Sequence, residues 1–265
     1  MSEAGETGFT DLCIVTAVDI EFNVAAGLLV DRSLPEESQM KVCRGRSGHR
    51  RVAVLQSEMG AAGFAGRLTN HLAANRYDGL IVAGLAGGLD PKLRAGEAVI
   101  YDLCYDARGD FEQPVAREKQ PPREEIASIA ADDKLSKLLF EALKAAGSSS
   151  TRGAGVTVNR IVTEAEDKLA LGARYNAAAV DLETYCVLDV CARFDLAAAA
   201  LRVISDEAGH DIPDFNRAYE ADGRMNGWRM AGVMMARPLA TLRFLLRVRR
   251  VLRSLKENLK AVLSA

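Results

Sequence analysis

Ala178-Ala179-Val180-Asp181-Leu182-Glu183, then a helical run, then Ala200-Leu201-Arg202-Val203-Ile204-Ser205-Asp206: this stretch decides how the chain is read. Two short apolar runs bounded by breaks read as buried strands, with helical spacing between them. One carboxylate, Glu183, falls where the first strand becomes the helix. Another, Asp206, falls where the second strand runs out. In an open α/β sheet, ligands bind outside the carboxyl ends of the strands, so both acids are expected at one crevice.

Upstream, Leu12 to Ala17 is an apolar run followed by a helical pattern to about Leu29, which puts Glu21 in a first helical turn at a strand's carboxyl end. A charge there is favourable by roughly 0.3–1 kcal/mol whatever else it does. Met40 to Arg46 and Arg51 to Gln56 read as a hairpin. Met59-Gly60 then lead into a helix reaching about Ala74, and a glycine opening a helix lets backbone N–H groups approach an anion or a sugar. Leu80 to Ala83 is the next strand, ending in Gly84-Leu85-Ala86-Gly87-Gly88-Leu89, a run of small residues that makes either a ligand contact or a tight turn. Glu97 to Tyr105 is a further strand. Ala107 to Glu125, with Pro114, Pro121 and Pro122, is a long loop, either a lid or a solvated excursion. Asp132 to Ala146 is an amphipathic helix with Asp132 as its cap, Ala154 to Val158 a strand, and Glu164 to Leu171 a short helix.

Downstream, Asp211 to Gly223 is irregular and Met225 to Ala236 a candidate helix. Pro238 suits the first turn of a last helix running to residue 263. That helix sets Leu242, Leu245, Leu252, Leu255, Leu259 and Val262 on one side and Arg243, Arg247, Arg249, Arg250, Arg253, Lys256 and Lys260 on the rest. The default reading is a terminal helix packed on the domain with a solvated basic face. The sharper one is a basic amphipathic helix lying on an anionic membrane surface. On that reading, removing Leu239 to Ala265 would lower binding to anionic liposomes and leave the domain folded.

The 265 residues suffice for one large domain, residues 12–265, after a polar, acidic tail over residues 1–11 that has no signal-peptide character. With 49% hydrophobic and 26% charged residues and a formal net charge of −2, nothing argues for nucleic acid as a partner. Five dispersed cysteines without a C-x-x-C pair suit reduced, buried thiols and a cytoplasmic location. Alternating strands and helices imply a three-layer α/β fold, its mixed central sheet largely parallel and flanked by helices. His49, His71 and His210 are scattered. Neither metal-ligand spacing nor a P-loop or dinucleotide fingerprint occurs, so no metal and no cofactor are expected. Glu21, Glu183 and Asp206 remain, and acid/base chemistry on a polyol or a leaving group suits them.

Leu85-Ala86-Gly87-Gly88-Leu89, Val180-Asp181-Leu182-Glu183 and Arg202-Val203-Ile204-Ser205-Asp206 resemble, in order and spacing, the serial motifs of the purine nucleoside phosphorylase and nucleosidase superfamily. Within it the motifs are most similar to those of the methylthioadenosine/S-adenosylhomocysteine nucleosidases. The tail from Ala221-Asp222-Gly223 through Arg237-Pro238 to Leu245-Leu246-Arg247 resembles the hopanoid-biosynthesis-associated phosphorylases, which act on adenosylhopane.

The resemblance implies a phosphorylase-like fold and cleavage of the N-glycosidic bond of a 5′-substituted adenine nucleoside. Asp206 would be the general acid toward purine N7, Glu183 would hold the ribose hydroxyls, and Glu21 would orient a water. Met59, Gly60, Gly87, Gly88, Leu182 and Ser205 would line the substrate pocket. If inorganic phosphate is the co-substrate, Arg44 and Arg46 are candidates by chain order, with Arg51 beside them. The family also implies a homodimer or higher homo-oligomer, and the tail a peripheral place on the inner membrane face. Asp206→Asn would abolish turnover with little loss of stability. Two departures stand out: Leu85 replaces a serine common in relatives, and residues 160–168 carry no aromatic for base stacking.

Overall fold

The parity of residues along three neighbouring parallel strands builds two cores at once. In β1 (Asp11–Thr16), Leu12 and Ile14 face one side, while Cys13 and Val15 face the other. In β5 (Gly79–Gly88) the two sets are Ile81 with Ala83 and Leu80 with Val82. In β10 (Ala198–Asp206) they are Ala199, Leu201 and Val203 against Ala198, Ala200 and Ile204. Side chains alternate across a strand, so a continuous apolar run requires cover on both faces. Helices supply it. On the first face lie α1 (Asp19–Ala26), α3 (Asp133–Ala145) and α6 (Pro238–Ser264); on the second lie α2 (Phe64–Ala74) and α5 (Thr184–Arg193). The computed structural model describes residues 8–35, 40–57, 63–109, 126–218, 232 and 238–265.

The remaining strands are β2 (Val30–Ser33), β3 (Lys41–Ser47), β4 (Arg50–Gln56), β6 (Ala98–Asp106), β7 (Ser128–Ala130), β8 (Ser150–Thr157) and β9 (Ala177–Asp181). The last helix, α4 (Ala165–Tyr175), covers β8 and β9 through a third cluster that includes Val156, Leu171, Tyr175 and Val180. The sheet is mixed and flanked by helices, as expected, and part of it closes on itself. β5 pairs in parallel with β1 and β10, and its last residues, Gly87 and Gly88, pair antiparallel with Val180 and Ala179 of β9. Since β10 pairs with β6, β6 with β8 and β8 with β9, these five strands form a ring, and β1, β4, β3 and β2 extend from β5 as a wing. The small-residue run, read as either a ligand contact or a tight turn, is strand as far as Gly88.

Several local expectations are met. Asp132 caps α3, accepting from the backbone N–H of Leu135 at 2.7 Å, and all five cysteines are buried and outside any disulfide. Other boundaries move. Phe9, assigned to the tail, is buried, Thr10 N–H donates to Asp78 Oδ2 at 2.8 Å and Asp11 opens β1, so residues 9–11 belong to the folded domain. β8 starts four residues early, in the serine run, and α4 runs to Tyr175. Residues 110–125 of the long loop and the helix expected at Met225 to Ala236, apart from residue 232, lie outside the described residues.

Helix α6 settles its own role in part. Val251, Leu255, Leu259 and Val262 are fully buried against the first face, each burial worth roughly 1.5–3 kcal/mol. Arg50, itself buried, donates to the carbonyl of Val262 at 2.9 Å. Deleting the helix would open the core, which corrects the expectation that the domain folds without it. Arg249, Arg250, Arg253, Lys256 and Lys260 remain on its exposed side.

Candidate active site

The carboxyl ends of β1, β5, β9 and β10 converge on a buried polar cluster built around β5. Glu21 enters from α1. Val18, at the helix N-terminus, has no side-chain acceptor, so Glu21 reaches back instead. Its Oε2 accepts from the N–H groups of Ala17 (3.0 Å) and Val18 (3.3 Å), while Oε1 accepts from the N–H of Leu85 at 2.7 Å. The carboxylate caps its own helix and is also tied to β5. It is 3% exposed, and burial raises its pKa above the usual 4.5; the nearby Arg202 charge and the three N–H groups only partly offset that.

Arg202 stands in the middle of β10 and is 1% exposed. A buried guanidinium needs partners. Its Nε donates to Asp181 Oδ2 (3.1 Å) and Thr184 Oγ1 (3.1 Å), and Nη2 donates to Thr184 Oγ1 (2.8 Å) and faces Glu183 Oε2 at 3.5 Å. Burial alone would lower its pKa, but the carboxylates of Asp181, Glu183 and Glu21 prevail and raise it. Asp181 organises the turn from β9 into α5. It accepts from Thr157 Oγ1 (2.8 Å), from the N–H groups of Glu183 (3.2 Å) and Thr184 (3.0 Å), and from Thr184 Oγ1 (2.5 Å). That turn points Glu183, 5% exposed, at Arg202.

Gly84 is what lets Arg202 and Glu21 meet. A Cβ there would lie 2.8 Å from both Arg202 Nη1 and Glu21 Oε1. Three residues further along β5, a Cβ on Gly87 would lie 3.1 Å from Val180 Cγ1 and 3.6 Å from Asp206 Oδ2. One strand segment of about 10 Å thus has Glu21 and the Arg202–Glu183 pair at one end and Asp206 at the other. Asp206, 3% exposed, accepts from Lys168 Nζ on Oδ2 and from Ser205 Oγ on Oδ1, both at 2.5 Å.

This order of chemistry along one strand end coincides with a family match: the model of the phosphorylase superfamily covers residues 11–234. The chain belongs to the phosphorylase superfamily. It is an enzyme of that family, and similar proteins bear this out. The 5′-methylthioadenosine/S-adenosylhomocysteine nucleosidase of Haemophilus influenzae (strain 86-028NP) is 28% identical over 195 residues, covering 73% of this chain and 84% of the relative. Its counterpart in Mycobacterium bovis (strain ATCC BAA-935 / AF2122/97) is 28% identical over 228 residues, 77% of this chain and 89% of the relative. Among solved structures, the Neisseria meningitidis nucleosidase of the same name, in complex with methylthio-immucillin-A, superposes with a TM-score of 0.71 at 16% identity, covering 96% of this chain and 98% of that one. Futalosine hydrolase of Helicobacter pylori strain 26695 gives 0.65 at 18% identity, covering 90% and 97%. At these identities the structures speak for the fold.

Within this phosphorylase-superfamily fold the other expected site residues divide. Gly88 stands against Asp206, a Cβ there falling 3.0 Å from its carbonyl oxygen. Leu182, half-buried, packs on the third cluster. Ser205 Oγ lies 3.1 Å from the carbonyl of Ala86 as well as against Asp206. Met59 and Gly60 lie outside the described residues. The arginines are not brought to the carboxylates. Arg44 donates to Asn75 Oδ1 (3.1 Å) and Tyr77 Oη (3.4 Å) beyond the end of α2. Arg46 pairs in register with Arg51 at the amino end of β4 and lines, with Thr10, His49 and Arg51, a surface cavity of about 460 Å³ on the opposite edge of the sheet. His71 is structural, its Nε2 2.8 Å from Tyr77 Oη.

Three members of the cluster were not singled out from sequence: Arg202, Asp181 and Lys168. An arginine inside an otherwise apolar strand was the available signal for the first two, since only acidic partners make its burial tolerable. Lys168 hides among the charges of α4, where the spacing of Lys168, Leu171 and Tyr175 is the sole trace of an inward face.

Proposed function

We propose that this protein cleaves the N-glycosidic bond of a 5′-substituted adenine nucleoside and releases adenine. The observation that carries the reading is the buried sequence of Glu21, Arg202–Glu183 and Asp206 along the end of β5. An oxocarbenium-like sugar needs a base that leaves with a proton, negative charge beside the developing cation and a nucleophile on its far side. Asp206 serves the base, Glu183 the ribose and Glu21 the nucleophile. A carboxylate with a raised pKa, as at Glu21, suits taking a proton from water. Its charge repels a phosphate dianion, which favours hydrolysis, the reaction implied by the names of the nucleosidase relatives. No cofactor is called on.

For the 5′ substituent we favour a lipid-linked adenosyl compound of the adenosylhopane kind over methylthioadenosine or S-adenosylhomocysteine. Support comes from the resemblance of the tail and from the exposed basic side of α6, where Arg249, Arg253, Lys256 and Lys260 recur at helical spacing. Among the described residues no helix is long and apolar enough to cross a membrane, so the contact would be peripheral, from the cytoplasm. We also read the protein as a homodimer or higher homo-oligomer. The exposed apolar side chains Ile20, Val30 and Leu34 offer a surface for a second copy, and light scattering after size exclusion tests it.

The deciding assay is adenine release from adenosine, methylthioadenosine and a lipid-linked adenosyl nucleoside, each with and without phosphate. Release that requires phosphate identifies a phosphorylase. Release from none sinks the enzymatic reading and leaves a nucleoside-binding module. Replacing Arg249, Arg253, Lys256 and Lys260 by Glu should weaken binding to anionic vesicles; equal binding refutes the membrane contact.

A further inference from the structure

Asp206 is joined on each oxygen to a group that can carry a proton. Oδ2 accepts from the Lys168 ammonium, and Oδ1 stands against the Ser205 hydroxyl, each at 2.5 Å. The hydroxyl has a single hydrogen and also faces the carbonyl of Ala86 at 3.1 Å, whereas the ammonium has three, so Lys168 is the neighbour with protons to give. Lys168 is enclosed, its side chain 0% exposed. It shares the inward face of α4 with Leu171 and Tyr175. A buried ion pair often contributes no more to stability than well-packed apolar side chains, so stability is a weak reason for this lysine. A second bond, Nζ to the carbonyl of His210 at 2.7 Å, fixes the ammonium beside Asp206.

The other charged groups around the pair, among the described residues, are engaged elsewhere. Glu207 pairs with Arg94 (3.4 Å) and with His210 Nδ1 (3.3 Å), and Asp211 accepts from the N–H of Ala165 at 2.9 Å. Glu164, Glu166 and Asp167 flank the first turn of α4 at exposed or half-exposed positions. The phenol rings of Tyr105 and Tyr175 pack on each other at the far end of the helix, 5.4 Å apart.

We propose that Lys168 is a positioning residue that carries the reaction's proton: the Lys168–Asp206 pair, rather than Asp206 alone, protonates the departing purine. This rests on the glycosidic reading above. As the C1′–N9 bond breaks, its electron pair leaves with the base. N7 takes a proton through Asp206, and in the same step the Lys168 ammonium passes one of its protons to the Asp206 carboxylate. The base departs neutral, Lys168 is left as an amine and Asp206 as the carboxylate it was. Water adds to C1′ and loses a proton to Glu21. Proton exchange with solvent then restores Lys168 and Glu21.

The test is the pH profile of kcat/KM for adenine release from methylthioadenosine and adenosine by Lys168→Met and Lys168→Gln, the second keeping a hydrogen-bond donor of similar reach. Thermal unfolding establishes that each variant is folded. Both variants lack the ammonium that supplies the proton, so they should lose about 10²-fold at pH 8, in line with the usual worth of a general acid, and recover as the medium itself supplies protons at lower pH. A folded variant with the wild-type profile, or with a uniform loss at every pH, overturns the proposal and leaves the glycosidic reading intact. Wild-type protein that releases no base from these two nucleosides or from a lipid-linked adenosyl nucleoside overturns both.

Discussion

Gly84→Ala probes the centre of the site with the smallest possible change. The added methyl carbon would lie 2.8 Å from Arg202 Nη1, 2.8 Å from Glu21 Oε1 and 2.9 Å from Glu21 Cδ, about 0.6 Å inside ordinary contact on its nearest neighbours. Neither partner can give way without loss. Arg202 is held by Asp181 and Thr184, and Glu21 by three backbone N–H groups. Overpacking of this kind costs about 1–3 kcal/mol. For a chain of this size about 2 kcal/mol corresponds to a fall of roughly 5 °C in Tm. Because the methyl moves the nucleophile-side carboxylate relative to the sugar, kcat/KM should fall further, by about 10²-fold for a displacement near 1 Å. Calorimetry and an adenine-release assay on methylthioadenosine measure the two effects. Wild-type Tm together with wild-type kcat/KM would refute the close approach of Arg202 and Glu21 over β5.

Three other substitutions or profiles follow from the same geometry. Asp206→Asn should remove turnover by about 10²-fold or more. It should also lower stability by roughly 3–5 kcal/mol, because Lys168 loses its buried counter-charge. That revises the expectation of little loss, and an unchanged urea midpoint would contradict the ion pair. Glu21 must be ionised to accept water's proton, and burial raises its pKa, so the ascending limb of kcat/KM should lie above pH 4.5; a limb at or below that value refutes its role as base. By linkage, the folded state binds the extra proton between 4.5 and the raised value, so Glu21's contribution to stability declines as pH rises through that window. Gly66→Ala, at an exposed position inside α2 where an added Cβ meets nothing within 4 Å, should stabilise by about 0.5–1 kcal/mol. Destabilisation there would mean that α2 is misplaced.

The strand-helix-strand of Ala177 to Asp206, the helix cap at Asp132, the hairpin of β3 and β4 and the last helix from Pro238 were all legible, because each is written in local spacing and cap chemistry. The closed ring was not. It depends on Gly87 and Gly88 pairing with Ala179 and Val180 from a distant part of the chain, and a glycine run has no pattern that distinguishes such a strand from a turn. The short strands β2 and β7 were missed for a related reason: three or four residues at a sheet edge carry no periodicity of their own.

The sequence by itself determined which acids stand at strand ends, since apolar runs and their breaks place Glu21, Glu183 and Asp206 without reference to anything remote. Only the tertiary structure decided what each acid touches. Arg202 is read locally as an irregularity in a strand, and Lys168 as one charge among several on a helix. Their burial against Asp181, Glu183 and Asp206 comes from contacts across 21, 19 and 38 residues of chain. Partnership of buried charges is a property of the packed interior, where desolvation makes an unpaired ion untenable. The electrostatics of Ala178 to Asp206 therefore follow from the fold, although the residues that carry them are plain in the sequence.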